Sequence, residues 1–456
     1  MLYGPAPPPT ETSLGLGFYQ TASPGTGGRL KLEPEDFRVR ELSLYPPPVD
    51  DGEFTVLRVV ARNWEQHELA QRLASRFGLR PGSIAWAGTK DRRAITEQLL
   101  SYRGAPRPAN ASPLAGVDIL EMYRSDRGVV LGHHFGNSFD IRVRDVAGDA
   151  ADLRAQLDAL AGELREARCI PNFFGLQRFG EVRPVTHLVG AALVRGDPDA
   201  AVRIYLEAET PGESAEGTAA RRQFSEHQDA ERALKEFPPA YRFERALLDR
   251  LSRGHDSTRA LHALPRELRR LFVHAFQSRL FNEYIVRRRA RAIALTEAIP
   301  GDLLLRVARD GTVPGVDPIP VGEENLTEAR EMLRRERAVV AGPLVGFGTP
   351  TMTGVPGELL GGLLSDEGVA REQFNLPRTP DLASEGSYRP LALAVPPMGL
   401  EVSPRVGADG SASYRATFAL PKGAYATVLL RELIKSGAIP SPTDGRERSP
   451  AASNQA

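Results

Sequence analysis

The sequence predicts a chain of mixed elements, α/β or α+β, with a mainly antiparallel sheet and more than one domain. Three observations lead there. Short β-branched runs alternate with amphipathic helical stretches, the pattern of layered helix-and-sheet domains. The 456 residues exceed the roughly 250–300 at which a single core stops growing. The composition, 41% hydrophobic and 25% charged, is that of ordinary soluble globular proteins. Basic and acidic residues balance at 58 each, so a polyanionic partner would have to meet a local basic surface. The single Cys169 leaves no disulfide framework and no cysteine-built zinc cluster. Set in Ala167-Arg168-Cys169-Ile170, it reads as a buried, inert thiol. No apolar run is long enough to span a bilayer, and Met1–Pro9 lacks the basic and apolar regions of a signal peptide. A cytoplasmic location without membrane attachment is expected.

Taken in order, residues 1–28 are rich in Pro, Gly, Thr and Ser and are expected to form a disordered leader. Alternation at Phe37, Val39 and Glu41 predicts a half-buried strand. The β-branched run over 53–61 predicts another. Residues 64–77 read as a helix with Leu69, Leu73 and Phe77 on one face and Gly78 as its stop. Two short strands are expected at 83–87 and 96–100, with a charged loop between them. A Pro/Ala connector covers 104–115, and further strands follow at 117–123 and 139–143. Between these, His133 and His134 lead to a tight turn with a structural Asn137. No carboxylate or cysteine lies at ligand spacing from that histidine pair, so no metal site is expected.

A helix is predicted over 153–168, a solvated charged segment over 207–235, and a long amphipathic helix over 266–291. The last carries Leu268, Leu271, Phe272, Ala275, Phe276 and Leu280 at helical steps. Its eight arginines against Glu267 and Glu283 leave six net positive charges (8 − 2), the footprint expected for an RNA backbone on one side of a helix whose other side is core. A charged helix at 323–337 and a loop-rich stretch at 341–362 precede strands at 391–395 and 413–419. A helix at 428–435 and a disordered tail at 437–456 close the chain.

Two stretches carry chemistry. Ala87-Gly88-Thr89-Lys90-Asp91-Arg92-Arg93 sets one carboxylate among three cations on a strand-end loop, a usual place for a reactive group on a rigid scaffold; opposite charges nearby favour an ionised acid. A phosphate loop is rejected, because the earlier glycine is missing and Asp91 stands where a hydroxyl residue would. The second stretch, Asn172-Phe173-Phe174-Gly175-Leu176-Gln177-Arg178-Phe179-Gly180, combines aromatic faces able to stack on bases with glycines that permit close backbone approach. By spacing alone both stretches could equally be a solvated turn and a piece of core.

The 87–98 string resembles the signature of the TruD family of tRNA pseudouridine synthases, whose Gly-x-Lys-Asp motif is matched by residues 88–91. Similar matches are Pro34–Glu41 to Pro-x-Asp-Phe-x-Val-x-Glu, residues 132–139 to a Gly-His-x-x-Gly-Asn-x-Phe element, 172–180 to Asn-x-Phe-Gly-x-Gln-Arg-Phe-Gly, 278–282 to Ser-x-Leu-Phe-Asn, and 420–427 to the closing motif. Family members carry a threonine shortly after the equivalent of Trp64; here the run is Glu65-Gln66-His67-Glu68.

The resemblance implies an α+β fold: a pseudouridine-synthase catalytic domain with a mainly antiparallel mixed sheet, interrupted by an inserted α/β TRUD domain. The expected boundaries are a leader at 1–28, the catalytic domain at 29–185 and 386–436, the insertion at 186–385 and a tail at 437–456. It implies Asp91 as the catalytic residue and tRNA as partner, with uridine 13 of the D arm as target and a cleft between the domains gripping the tRNA. It further implies Phe37 and Glu41 lining the uridine pocket, Asn172 contacting the base or the catalytic loop, Phe174 stacking on uracil, and Gln177 and Arg178 supporting the site. Lys31, by motif match, or Lys90, by adjacency, would orient Asp91; neighbours on a strand point to opposite faces, which favours Lys31. Arg389 is a candidate phosphate or active-site arginine. The isomerisation gains and loses no group, so no cofactor and no metal are expected. A monomer is expected. Asp91 could act as nucleophile or as base. A non-catalytic tRNA-binding protein and a synthase acting on other RNA are the alternatives.

Overall fold

The computed structural model describes residues 4–43, 46–107, 114–180, 182–308, 311–403 and 411–435. The expected tail at 437–456 lies outside them. The chain forms an α+β fold in two compact units. Among the described residues the first gathers Tyr19–Ile170 and 393–435, and the second gathers Ala6–Phe18 and Pro171–Ala392. The expected insertion at 186–385 falls inside the Pro171–Ala392 part of the second unit.

Seven strands of the first unit's sheet lie in the order Gly399–Ser403, Ala412–Pro421, Gly136–Val146, Phe37–Leu42, Ile95–Arg103, Phe54–Arg62 and Val117–Ser125, with Ala85–Trp86 added against Ile95–Arg103. Only Phe37–Leu42 and Ile95–Arg103 pair in parallel; the other pairs are antiparallel. Side chains alternate across a strand, so Phe37 and Val39 turn inward while Arg38 and Arg40 face solvent. In register with them, Phe139, Ile141, Ala416 and Phe418 complete one apolar face. The helix Ala150–Ala167 covers it with Leu153, Leu157, Leu160 and Leu164, each burial contributing about 1.5–3 kcal/mol. Asp149 caps that helix by accepting from the Ala151 and Asp152 amides at 2.8 and 2.9 Å. Helix Gln66–Arg76 covers the rest of the sheet with Leu69 and Leu73. Its cap is Glu65, which accepts from the Glu68 amide at 2.9 Å; a carboxylate does the work of the family's threonine.

The leader departs from expectation. Leu14, Leu16 and Tyr19 are buried, and the Gln20 and Thr21 amides donate to Glu432 Oε2 at 2.8 and 3.1 Å. Pro and Gly make the segment extended, but a few apolar side chains and borrowed hydrogen-bond partners hold it. Asn137, expected in a turn, lies on a strand opposite Glu41.

The second unit packs helices around Arg266–Ala290, of 25 residues, and carries a four-stranded antiparallel sheet ordered Ser387–Pro390, Ala338–Leu344, Leu303–Arg306, Ile319–Pro320. The loop-rich reading of 341–362 is corrected by the end of a strand and by helix Gly354–Asp366, whose Leu359, Leu360, Leu363 and Leu364 are buried. The 207–235 segment is not simply solvated. Arg221 is fully buried, its Nε 2.8 Å from Glu213 Oε1 and its Nη2 2.7 Å from Glu244 Oε1. The long helix also spends much of its charge internally. Arg269 pairs with Asp381 at 2.9 Å, Arg279 with Glu367, Arg287 with Asp366 at 2.7 Å and Arg288 with Asp302 at 2.6 Å. Among the described residues no helix is long and apolar enough to cross a membrane.

Candidate active site

The loop between Ala85–Trp86 and Ile95–Arg103 is anchored by buried Ala87 and Ala94, which raises the charged residues between them. The adjacent Lys90 and Asp91 diverge. The Lys90 ammonium turns inward, donating to Glu41 Oε2 at 2.7 Å and to the Gly88 carbonyl at 3.2 Å, with the Lys90 and Glu41 side chains 5% and 1% exposed. Asp91 keeps 32% of its side chain exposed and faces the Lys31 ammonium at 3.5 Å. Lys31 is itself 4% exposed, its backbone in the left-handed region at φ 55°. Its ammonium lies 4.4 Å above the Phe37 ring. Of the two lysines, Lys31 is thus the one beside Asp91.

Phe37 is 1% exposed, with Lys31 on its face and Phe139 at its edge, 6.2 Å away. Lys90, expected at the substrate, is committed to Glu41. A surface cavity lined by Arg40, Glu41, Glu97, Gln98 and Phe135, among others, opens at Glu41, and Asp91 does not line it.

Two residues given no catalytic part by the sequence reading belong to this neighbourhood. His134 approaches the loop so closely that a side chain on Gly88 would come 3.0 Å from its Cε1 and 3.3 Å from Lys90 Nζ. Burial, then the Lys90 charge, lowers the His134 pKa, and Glu41 opposes this. Asn137 stands in register with Glu41. Glu41 Oε1, His134 Nδ1 and Asn137 Oδ1 are buried and make no hydrogen bond among the described residues, each an acceptor or donor whose isolation costs about 1–3 kcal/mol. The Gly-His-x-x-Gly-Asn element carries Asn137, while His134 falls on one of its unspecified positions.

In the second unit the 172–180 stretch forms its own cluster. Asn172 donates from Nδ2 to the Pro390 carbonyl at 2.9 Å, and its Oδ1 accepts from Arg389 Nη2. Arg389 Nε also donates to the Asn172 carbonyl at 3.1 Å. The Phe174 ring is 6% exposed, with the Arg389 guanidinium 4.2 Å above it and Phe281 at its edge, 5.7 Å away. At the expected uracil shelf and base contact, the Phe174 ring thus lies under a guanidinium and the Asn172 amide is engaged at both ends. Arg389, taken as a possible phosphate ligand, is the group that covers and engages them. Gln177 and Arg178 occupy the single turn Leu176–Arg178, partly exposed, and Arg178 Nε donates to Ser278 Oγ at 3.1 Å.

The family model for tRNA pseudouridine synthase D matches residues 13–433. The chain belongs to the TruD family. A probable tRNA pseudouridine synthase D of Halobacterium salinarum is 38% identical over 445 residues, covering 95% of this chain and 98% of that protein. One of Thermococcus gammatolerans is 39% identical over 418 residues, covering 90% and 96%. The crystal structure of a putative tRNA pseudouridine synthase D from Methanosarcina mazei superposes with a TM-score of 0.78 at 32% identity, covering 94% of this chain and 98% of that one. The TruD match begins inside the leader, in keeping with the burial of Leu14 and Leu16.

Proposed function

We propose that this TruD chain converts uridine 13 of the tRNA D arm to pseudouridine, with Asp91 as the catalytic group. The observation that carries the reading is the separation of two adjacent charges: Lys90 is locked to Glu41 in the interior while Asp91 is held at the surface by a buried lysine from sixty residues earlier (91 − 31). A partly exposed carboxylate fixed in place by a buried cation suits an attacking or proton-accepting group.

The reaction breaks the N1–C1′ bond, turns the uracil and joins its C5 to C1′, while the C5 proton is lost and N1 gains one. As a nucleophile, Asp91 would bond to C1′ as the N1–C1′ electron pair leaves with the uracil, and C5 would later displace the carboxylate. As a base, it would take the C2′ proton so that the N1–C1′ electron pair leaves with the uracil and a C1′–C2′ double bond forms, and it would return that proton to C2′ as C5 bonds to C1′. Lys31 orients the carboxylate in both schemes. The base must leave its stack, at a cost of a few kcal/mol. Contacts that could offset this are the free acceptor of Asn137 and the neighbouring Glu41 and His134 atoms, which lie in the same unit as Asp91.

The test is pseudouridine mapping in tRNA incubated with the protein. Asp91→Asn is expected to abolish formation and to leave tRNA binding within about tenfold, since the substitution removes one charge and no volume. Substantial turnover by this variant excludes Asp91. Modification that persists when uridine 13 is replaced by cytidine excludes that target.

A further inference from the structure

We infer that Arg270 and His274 on the long helix, with Arg178 beside them, form a contact for the phosphodiester backbone of the RNA substrate; the inference rests on the reading of this chain as an RNA-modifying enzyme. Residues 270, 274 and 278 recur at four-residue steps and so share one face of helix Arg266–Ala290. Arg178 is fastened to that face by its 3.1 Å hydrogen bond to Ser278 Oγ, and Ser278 Oγ in turn donates to the His274 carbonyl at 2.7 Å. All three basic residues are partly exposed, and all belong to the second unit.

What separates this stripe from an ordinary charged face is its lack of acids. Four other arginines of the same helix each have a carboxylate within ion-pair distance. Among the described residues, neither Arg270 nor Arg178 has one. Glu267 lies two turns before His274, and burial, then Arg178 and Arg270, lower the His274 pKa to about 4 against its opposing pull. The two guanidinium charges there have no ion-pair partner among the described residues, and the His274 imidazole, neutral at pH 7, can donate a hydrogen bond beside them. Folding gains nothing from clustering like charges, whereas a polyanion supplies the missing partner, and the planar guanidinium fork matches phosphate oxygens. Such contacts add affinity without reading sequence.

The experiment measures affinity for a tRNA transcript against salt concentration, in the full-length protein, with pseudouridine formation by the wild type recorded alongside. Each lost phosphate contact lowers the slope of log K against log salt by roughly 0.7–0.9. Arg270→Ala is expected to reduce the slope by that amount and to weaken binding several-fold, for tRNA and for an unrelated RNA of equal length. Arg270→Lys should retain the slope. Arg287→Ala, on the same helix but paired with Asp366, serves as the control and should leave it unchanged. An unchanged slope in Arg270→Ala, or an equal fall in Arg287→Ala, overturns the inference. A wild type that binds RNA with these slopes but forms no pseudouridine overturns the proposed function instead and leaves the phosphate contact standing.

Discussion

Lys31 and Lys90 have the same side chain and different tasks, and substitution separates them. Lys31→Met removes the cation beside Asp91 and keeps the apolar stem over Phe37. Misplacement of a reacting group by about 1 Å costs on the order of a hundredfold in rate, so turnover should fall by that order while RNA affinity changes little. Single-turnover kinetics decides it, and an unaltered rate detaches Lys31 from Asp91. Lys90→Met instead leaves Glu41 buried without its partner, a loss of roughly 3–5 kcal/mol, to be read as a fall in the denaturation midpoint. A Lys90→Met protein of full stability and no activity would move Lys90 to the reacting atoms. His187 makes a pH-dependent claim of the same kind. Burial first, then Arg279, lowers its pKa from 6.5 to about 3. A histidine held neutral in the fold contributes stability that is complete above the unfolded value near 6.5. That contribution is lost as pH falls from there towards 3, at about 1.4 kcal/mol per pH unit. Between pH 6.5 and 5 the wild type should therefore lose roughly 2 kcal/mol more than His187→Leu. Parallel losses in the two proteins refute the claim.

At the level of elements, two glycines in helices make opposite predictions. A Cβ on Gly190, in helix Thr186–Val194, would come 1.9 Å from the Phe272 carbonyl of the long helix. Gly190→Ala should therefore destabilise by about 1–3 kcal/mol as the two helices are forced apart. Gly361, in helix Gly354–Asp366, has nothing within 4 Å of its missing Cβ, and Gly361→Ala should stabilise by about 0.5–1 kcal/mol. Thermal or denaturant unfolding checks both signs. The same helix shows where the sequence was hard to read: glycines at 354, 357, 361 and 362 suggest loop, and only the tertiary burial of four leucines outweighs their low propensity. Strands such as Phe37–Leu42 were legible because their alternation is local. The Lys31–Asp91 pair was legible through motif likeness. His134 and Asn137 were not, because their standing depends on strand register and on space left by Gly88. The cover over Phe174 was not legible for a related reason: the guanidinium arrives from a residue 215 positions later (389 − 174).

Neither compact unit is a continuous piece of chain. Among the described residues the polypeptide contributes Ala6–Phe18 to the second, Tyr19–Ile170 to the first, Pro171–Ala392 to the second and 393–435 to the first. A short N-terminal strap is therefore part of two cores. In the second unit the fully buried Asn282 donates from Nδ2 to the Leu14 carbonyl at 2.9 Å and to the Phe174 carbonyl at 3.1 Å, and accepts from the Phe174 amide at 2.8 Å. Phe18 packs edge-on to Phe173 at 5.4 Å. In the first unit Tyr19 lies under Arg431 at 4.1 Å, and Thr21 is bonded to Glu432. Removing residues 1–18 would expose the apolar surface now covered by Leu14 and Leu16, worth about 1.5–3 kcal/mol for each leucine. It would also leave Asn282 short of one partner, costing about 1–3 kcal/mol more. The sum is comparable with the whole stability of many domains. A protein beginning at residue 19 should therefore show early hydrogen exchange in helix Arg266–Ala290 and the Phe174 segment, while the sheet around Phe37–Leu42 keeps its protection. Full-length-like protection of the long helix in that truncated protein would show that the strap merely decorates the unit it enters.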